Sequence, residues 1–398
     1  MINTPLYDAL LAHKNLKRAS FHTPGHKNSN KVLPKYLFEL DFTELPDTDN
    51  LFEASGVIRE SEEKTAKLYG AKRTLYSAGG CTLCIQTMLK LAVPFGGKVI
   101  ASQMIHKSAV NTLSLLHAEV KWVFPQFSES DNCLGQVVVE DVEEALNEVP
   151  DAACVYITSP DYFGNIADIK GIAEVCKKHK TPLLVDNAHG AHLKFLSKDI
   201  HPITLGADLV ADSAHKTLPV LTGGAMLHIA NEVYLKPAKE AMSIFASTSP
   251  SYPVMASLDI AMSWLKENAQ KAYLKLEDDV AQIKAVAKSK GLIKEICKVD
   301  PTRLALHTTK LGFSGDEAAE YFRENGIEPE MSNHDTVVCI ATPMNSDEDF
   351  SKLTSAIKAF PQKTTSTNET NQIVTRLCVP GVPILSSRER VAKIRPQT

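Results

Sequence analysis

Residues 208–228, DLVADSAHKTLPVLTGGAMLH, place a lysine just past a short apolar run. The run 208–212 reads as a strand, and Lys216 follows in the string Ser213-Ala214-His215-Lys216-Thr217, ahead of Gly223 and Gly224. Ligands of a parallel α/β sheet gather at the carboxyl ends of its strands, so Lys216 is placed for Schiff-base chemistry on a carbonyl. A loop lysine on the surface is the plainer alternative for this string taken alone. Residues 182–192, PLLVDNAHGAH, repeat the design. A buried-type strand ends in Asp186, followed by Ala188, His189 and His192. A strand-end carboxylate can hold a protonated pyridine nitrogen, the pairing that keeps a pyridoxal-type ring electron-withdrawing. Alternatives are a capping aspartate with an ordinary loop histidine, or a metal cluster of Asp186, His189 and His192, for which the spacing is weak.

Two further segments sit at strand ends. Residues 77–82, Ser-Ala-Gly-Gly-Cys-Thr, follow an apolar run and open a helix. A Gly-rich turn into a helix N terminus offers backbone N–H groups and a favourable dipole to a phosphate. The string is neither a Walker loop nor a full G-x-G-x-x-G. Cys81 and Cys84 stand at C-x-x-C spacing, but no second pair lies at zinc-ribbon distance. His106, in His106-Lys107-Ser108, follows the run 98–102 and could stack on a planar ring or simply start a helix.

These residues need a scaffold that carries strand ends to one edge. Short β-branched runs at 74–78, 98–102, 120–124, 153–159, 182–186, 208–212 and 224–229 alternate with helical periodicity at 84–91, 141–149 and 169–179. That alternation implies a mostly parallel sheet with helices on both faces. Residues 257–290 read as one or two long helices, and a shorter alternation follows: strands at 303–308 and 336–342, helices at 316–324 and 347–360, the last capped by Ser346 or Asp347. The expected division is an N-terminal arm (1–50), a large cofactor domain (51–256), connecting helices (257–291) and a small C-terminal α/β domain (292–398).

Composition sets the outer limits. Lys plus Arg number 43 and Asp plus Glu 47, a formal balance of −4, which argues against a nucleic-acid or anionic-membrane partner. Hydrophobic residues at 44% and charged residues at 23% exclude wholesale disorder. No apolar run reaches bilayer length, and the first 15 residues do not read as a signal peptide. Eight scattered cysteines, several inside apolar runs, suit reduced thiols in the cytoplasm.

The chain order of cradle, stacking histidine, strand-end Asp and strand-end Lys resembles fold type I of the pyridoxal-phosphate enzymes, the aspartate aminotransferase fold. A narrower resemblance joins it. FHTPGHK at 21–27 is similar to the H-x-P-G-H-K signature of the ornithine/lysine/arginine decarboxylase family. DFTELPDTDNLF at 41–52, HKS at 106–108, TSPDYFG at 158–164 and DNAHG at 186–190 follow in family order. SAHK at 213–216, STSPSYPVMASLD at 247–259 and PGVPILSSRE at 380–389 complete it, so the resemblance covers nearly the whole chain.

The resemblance implies that Lys216 anchors pyridoxal 5'-phosphate, Asp186 bonds its pyridine nitrogen and His106 stacks on its ring. It implies that Gly80, Cys81, Thr82, Ser213 and His215 surround the phosphate, that Ala188 packs on the other ring face with His189 beside it, and that Lys216 or His215 returns a proton. It further implies a homodimer, with residues Ser247–Ser249 reaching the partner's site. The implied reaction is decarboxylation of arginine, lysine or ornithine to a polyamine or diamine. Asp49, Glu53 and Glu389 are candidates for the carboxylate that would meet the substrate's distal cation. About 20 residues precede the H-x-P-G-H-K string, so the resemblance is to short members lacking an N-terminal wing domain. Departures from the family pattern are Asn187 for an acidic residue, Cys81 for a serine, the string Leu218-Pro219-Val220, and Ser387-Arg388 near the C terminus; they put substrate choice in question. Two alternatives remain open on sequence. One is a fold type I aminotransferase or lyase, for which Arg303, Arg323 and Arg376 are available without a matching motif. The other is a non-catalytic regulator that keeps the fold.

Overall fold

The computed structural model describes residues 3–16, 39–128, 133–294 and 297–363. The segments 21–27 and 380–389, and with them Glu389, lie outside the described residues. The chain runs through α1 (Pro5–Asn15), α2 (Val57–Tyr69), β1 (Arg73–Ser77), α3 (Gly80–Ala92), β2 (Lys98–Ser102), α4 (Lys107–Leu115), β3 (Glu119–Val123), β4 (Phe127–Ser128) and β5 (Cys133–Leu134). It continues through α5 (Val139–Glu148), β6 (Cys154–Thr158), α6 (Ile169–Lys178), β7 (Leu183–Asp186), β8 (Leu209–Asp212), α7 (Ala214–Thr217), β9 (Ala225–Ile229) and α8 (Ala238–Ser243).

Seven strands form the central sheet in the order β1-β9-β8-β7-β6-β2-β3. Its strands are apolar on both faces, and successive side chains divide between two cores. Val99, Ala101, Tyr156 and Leu184 pack with Ile85 and Met88 of α3. Ile100, Val155, Ile157 and Val185 pack with Val142 of α5 and Ile172 of α6. Each fully buried aliphatic side chain contributes about 1.5–3 kcal/mol. Strand β9 departs from the parallel direction: it pairs antiparallel with both β1 and β8. The link from β8 to β9 holds only the four-residue α7, too little chain to cover the sheet and return parallel. That short return is what keeps Lys216 at the sheet edge.

One helix, α9 (Tyr252–Ser289), spans the region expected to hold one or two. It leads to a three-stranded sheet, order β10-β12-β11, made of β10 (Arg303–His307), β11 (Met331–Ser332) and β12 (Thr336–Ile340). Against it lie α10 (Gly315–Glu324) and α11 (Asp347–Ala359). Ser346, not Asp347, caps α11, in a reciprocal pair with Asp349.

Helix α2 is an addition to the sequence reading. Six of the 13 residues in its string VIRESEEKTAKLY are charged, and the stripe it buries, which includes Ile58, Ala66 and Tyr69, is half polar. Its N terminus is organised by Asp49, which sits at φ +67. One carboxylate oxygen of Asp49 accepts from the N–H groups of Asn50 and Ser55, the other from Gly56, Ile58 and Arg59.

Candidate active site

Four parallel strands deliver polar residues to one edge. Strand β7 ends in Asp186 and β8 in Asp212, while β1 ends in Ser77 and β6 in Thr158. Lys216 lies in the first turn past β8, with Nζ 3.0 Å from Nε2 of His189 and 5.9 Å from the centre of the Tyr162 ring.

The two strand-end aspartates differ in how the protein treats their charge. Asp212 is fully buried, and one of its oxygens meets Nε2 of His201 at 2.9 Å and Nε2 of His228 at 3.2 Å. Its other oxygen accepts from Nδ2 of Asn187 at 2.7 Å. Burial would raise its carboxyl, but His201 and His228 outweigh that and hold it far below the usual range. These three residues converge closely enough to suggest metal ligands. Each is, however, satisfied within the protein: Nδ1 of His201 accepts from the Ile203 N–H and Nδ1 of His228 meets Thr74.

Asp186 is also buried, but its partners are the Tyr156 hydroxyl and the Ala188 N–H, each at 3.2 Å, and neither is a cation. Burial pushes its carboxyl up to about 6, against the pull of Ala188, Tyr156 and Lys216. A buried carboxylate left without a contacting cation fits a ligand that brings one, as a protonated pyridine nitrogen does.

The turn expected to cradle a phosphate lies at the start of α3. Gly80 takes φ +69, and its N–H donates to the Gly223 carbonyl. Ser77 ties the turn from below, accepting from the Gly79 N–H and donating to the Gly80 carbonyl. Gly79 has no side chain to cap the helix, so the Cys81 and Thr82 amides face the dipole end without a capping group. Cys81 is buried, and burial with the nearby Asp186 charge keeps its thiol protonated. His215 donates from Nδ1 to the Gly224 carbonyl at 3.1 Å, with Oγ of the buried Ser213 3.4 Å from the same nitrogen. His106 caps α4, its Nδ1 accepting from the Ser108 N–H. Burial and the charge of Lys216 lower its pKa.

The distal-carboxylate candidates fare differently. Asp49 is committed to the five amides at the start of α2, so the expectation that it receives a substrate cation is corrected. Glu53 is exposed beside that loop, its own N–H bound to Asn50. Asn187 is likewise not at the substrate end: it is fully buried and turned toward Asp212 and His201. A glutamate there could not donate to Asp212.

The structure adds contacts at the site that the sequence does not place. Tyr156 reaches Asp186 from the middle of β6. Tyr162 packs on His189 with ring centres 4.5 Å apart, and its hydroxyl donates to Glu330 at 2.6 Å. Arg303 brings its guanidinium to Nδ1 of His189 at 3.4 Å. Of the other two arginines weighed on sequence, Arg323 pairs with Glu320 and Glu328 on the surface, and Arg376 lies outside the described residues. The polar tyrosine in an otherwise apolar strand was the available signal for Tyr156. The contact of Arg303 spans 114 positions and leaves no local signal.

Residues 4–289 match the family described as Orn/Lys/Arg decarboxylase, major domain. The arginine decarboxylase of Bacillus subtilis (strain 168) is 30% identical over 412 aligned positions, covering 98% of this chain and 83% of that protein. The arginine decarboxylase of Halalkalibacterium halodurans is 30% identical, covering 89% of this chain and 76% of that one. The crystal structure of the Francisella novicida lysine decarboxylase superposes with a TM-score of 0.76 at 18% identity, covering 90% of this chain and 60% of that chain. Fold and site together define a fold type I pyridoxal-phosphate enzyme. Within that class the chain belongs to the ornithine/lysine/arginine decarboxylase family.

Proposed function

We propose that this protein removes the α-carboxylate of a basic amino acid as carbon dioxide, with arginine as the preferred substrate and agmatine as product. The observation that carries the reaction class is the meeting of two groups at the strand ends: Asp186, buried with a hydroxyl and a backbone amide as its contacts, and Lys216, on the β8–β9 return with Nζ on His189 and its charge felt at Asp186. Arginine is favoured over lysine because the relatives of 30% identity are named arginine decarboxylases.

Pyridoxal 5'-phosphate, when bound, supplies the electron sink for the bond that breaks. The chain's own residues do the rest. Lys216 would supply the amine that holds the cofactor. Asp186 holds the pyridine nitrogen protonated. The start of α3, with Gly80, Cys81 and Thr82, receives the phosphate together with Ser213 and His215. His106 and Ala188 would help hold the cofactor's ring, and Lys216 or His215 would return a proton to the substrate carbon. The exposed stretch Ser247–Ser249 reaches the site of a second copy, making the enzyme a homodimer. No helix among the described residues is long and apolar enough to cross a membrane. Six described cysteines are free thiols, five of them buried, which supports a cytoplasmic location.

A panel of carboxyl-labelled arginine, lysine and ornithine tests this reading. Labelled carbon dioxide with agmatine as the leading amine is the expected result. Cadaverine or putrescine in excess would overturn the arginine assignment, and no gas from any of the three would overturn the reaction class.

A further inference from the structure

His106 and His215 have Nδ1 on backbone groups of opposite kind. Nδ1 of His106 lies 3.2 Å from the Ser108 amide nitrogen, whose N–H can only donate. That ring nitrogen therefore holds a lone pair, and the proton of the imidazole is on Nε2. Nδ1 of His215 lies 3.1 Å from the Gly224 carbonyl, which can only accept. That ring nitrogen therefore holds the proton, and a neutral His215 has its lone pair on Nε2. The Ser213 hydroxyl, 3.4 Å from the same Nδ1, can donate or accept and leaves the assignment to the carbonyl.

Gly224 also fixes where that lone pair stands. Its carbonyl accepts from the His215 backbone N–H as well, and the neighbouring Gly223 carbonyl accepts from the N–H of Gly80, the first residue of α3. The His215 ring is thus held against the turn expected to receive the phosphate. A phosphate dianion offers only acceptors, so a lone pair on Nε2 would repel it. The Nδ1 proton is already committed to Gly224. We propose that binding of the cofactor's phosphate brings one proton from solvent onto Nε2 of His215, so that the histidine meets the phosphate as an imidazolium. This rests on the reading that places the phosphate at the start of α3. It makes cofactor affinity fall as alkali removes that proton.

The charged and titratable groups of the neighbouring elements leave the role to the phosphate. Asp212, at the end of β8, is paired with His201 and His228. Asp186, at the end of β7, bonds the Tyr156 hydroxyl and the Ala188 N–H. Lys216, next to His215 on α7, has Nζ on His189. The Cys81 thiol, at the start of α3, is kept protonated by burial and the nearby Asp186 charge. Among the described residues, the bonds of the His215 ring are those to Ser213 and Gly224, and neither brings a negative charge. His106 is the internal control: burial, Lys216 and Lys107 all lower its pKa, and its own Nδ1 already accepts from a backbone N–H.

The test is nitrogen NMR of the full chain, labelled with 15N-histidine, at about pH 7.5. Spectra are taken of the protein alone, with pyridoxal 5'-phosphate, and with pyridoxal, which lacks the phosphate. His215→Gln and His106→Gln assign the signals. Alone and with pyridoxal, His215 should show a protonated Nδ1 and a bare Nε2. With pyridoxal phosphate both nitrogens should be protonated, while His106 keeps one proton, on Nε2, throughout. A second measurement follows Kd between about pH 7 and 8.5. Kd for pyridoxal phosphate should weaken by up to about tenfold per pH unit relative to Kd for pyridoxal, the slope of one linked proton. His215→Gln, whose amide donates without titrating, should remove that extra slope. His215→Asn, which keeps a donor for the Gly224 carbonyl, serves in both measurements where His215→Gln does not fold. A bare Nε2 in the phosphate complex, a neutral His215 with its proton on Nε2 in the free protein, or an unchanged slope in the variants overturns the proposal. A chain that binds no pyridoxal phosphate overturns it together with the placement of the cofactor.

Discussion

Asp186 and Asp212 close neighbouring parallel strands, and the protein cancels the charge of only one of them. Asp212 has two imidazoles and an amide on its oxygens; Asp186 has a hydroxyl and a backbone amide. The sheet therefore holds a stabilising carboxylate next to a costly one, and the costly one stands beside Lys216. Local instability at a site that a ligand completes is a common property of binding sites.

For Asp186 the sign follows from its raised pKa. The folded protein favours the neutral acid, so the group costs nothing below its ordinary range near 3.8. The cost grows as pH rises through about 6 and is full above it. At pH 8 it reaches on the order of 3 kcal/mol. Asp186→Asn should therefore raise the unfolding midpoint of the cofactor-free protein at pH 8 and change it little near pH 4. The same variant should lose most of the stabilisation that added pyridoxal phosphate gives the wild type. Thermal unfolding at the two pH values, with and without cofactor, measures both. A lower midpoint for the variant at pH 8 would mean that Asp186 has a protein cation after all.

Asp212 behaves the opposite way. Its depressed pKa contributes stability above the ordinary carboxylate range, and that stability is lost as pH falls through the depressed value. Asp212→Ala leaves His201, His228 and the Asn187 amide without their shared acceptor inside the core. Loss of a buried charged partner costs about 3–5 kcal/mol. Chemical denaturation at neutral pH should show a loss of that size; a loss under about 1 kcal/mol would mean that water enters the cluster.

The proposed function makes Lys216 the anchor, and the residue carries little of the packing. Lys216→Ala should unfold at the wild-type temperature within a degree or two. It should lack the visible absorbance of a lysine-bound cofactor, release pyridoxal phosphate on gel filtration, and lose decarboxylation by about a hundredfold or more. A retained absorbance band would place the anchoring amine on another residue.

The sequence revealed the strands and the strand-end chemistry for one physical reason. A sheet covered on both faces needs unbroken apolar runs, as at 153–159 and 182–186, and the first polar residue after such a run marks the edge where ligands bind. Asp186, His189 and Lys216 were legible in that way. Direction was not: the antiparallel turn of β9 depends on the length of its return, not on its own residues. Helix α2 was missed because its apolar stripe is thin among Glu and Lys. The grip of Arg303 on His189 joins the two sheets across a tertiary interface, which local pattern does not encode. The capping role of Asp49 was not legible, because its position in a family-like string says nothing of its φ or of the five amides converging on it.

Asp49 offers the clearest separation between a structural and a substrate role. Its carbonyl also accepts from the Tyr252 hydroxyl at 2.6 Å, so the residue joins the start of α2 to the start of α9. Burial tends to raise its carboxyl, but bonds from Asn50, Ser55, Gly56 and Arg59 outweigh that and lower it. Its contribution is therefore present above the ordinary carboxylate range and fades as pH falls below it. Asp49→Ala removes a capping carboxylate and should cost about 2 kcal/mol, read as a lower denaturation midpoint. Below that midpoint the variant should keep the wild-type ratio of kcat/KM between arginine and lysine, because the carboxylate has no oxygen left for either side chain. A carboxylate that met the substrate's distal cation would do the reverse: stability would hold, and KM for the preferred amino acid would rise by tenfold or more, about the strength of one charge-assisted pair.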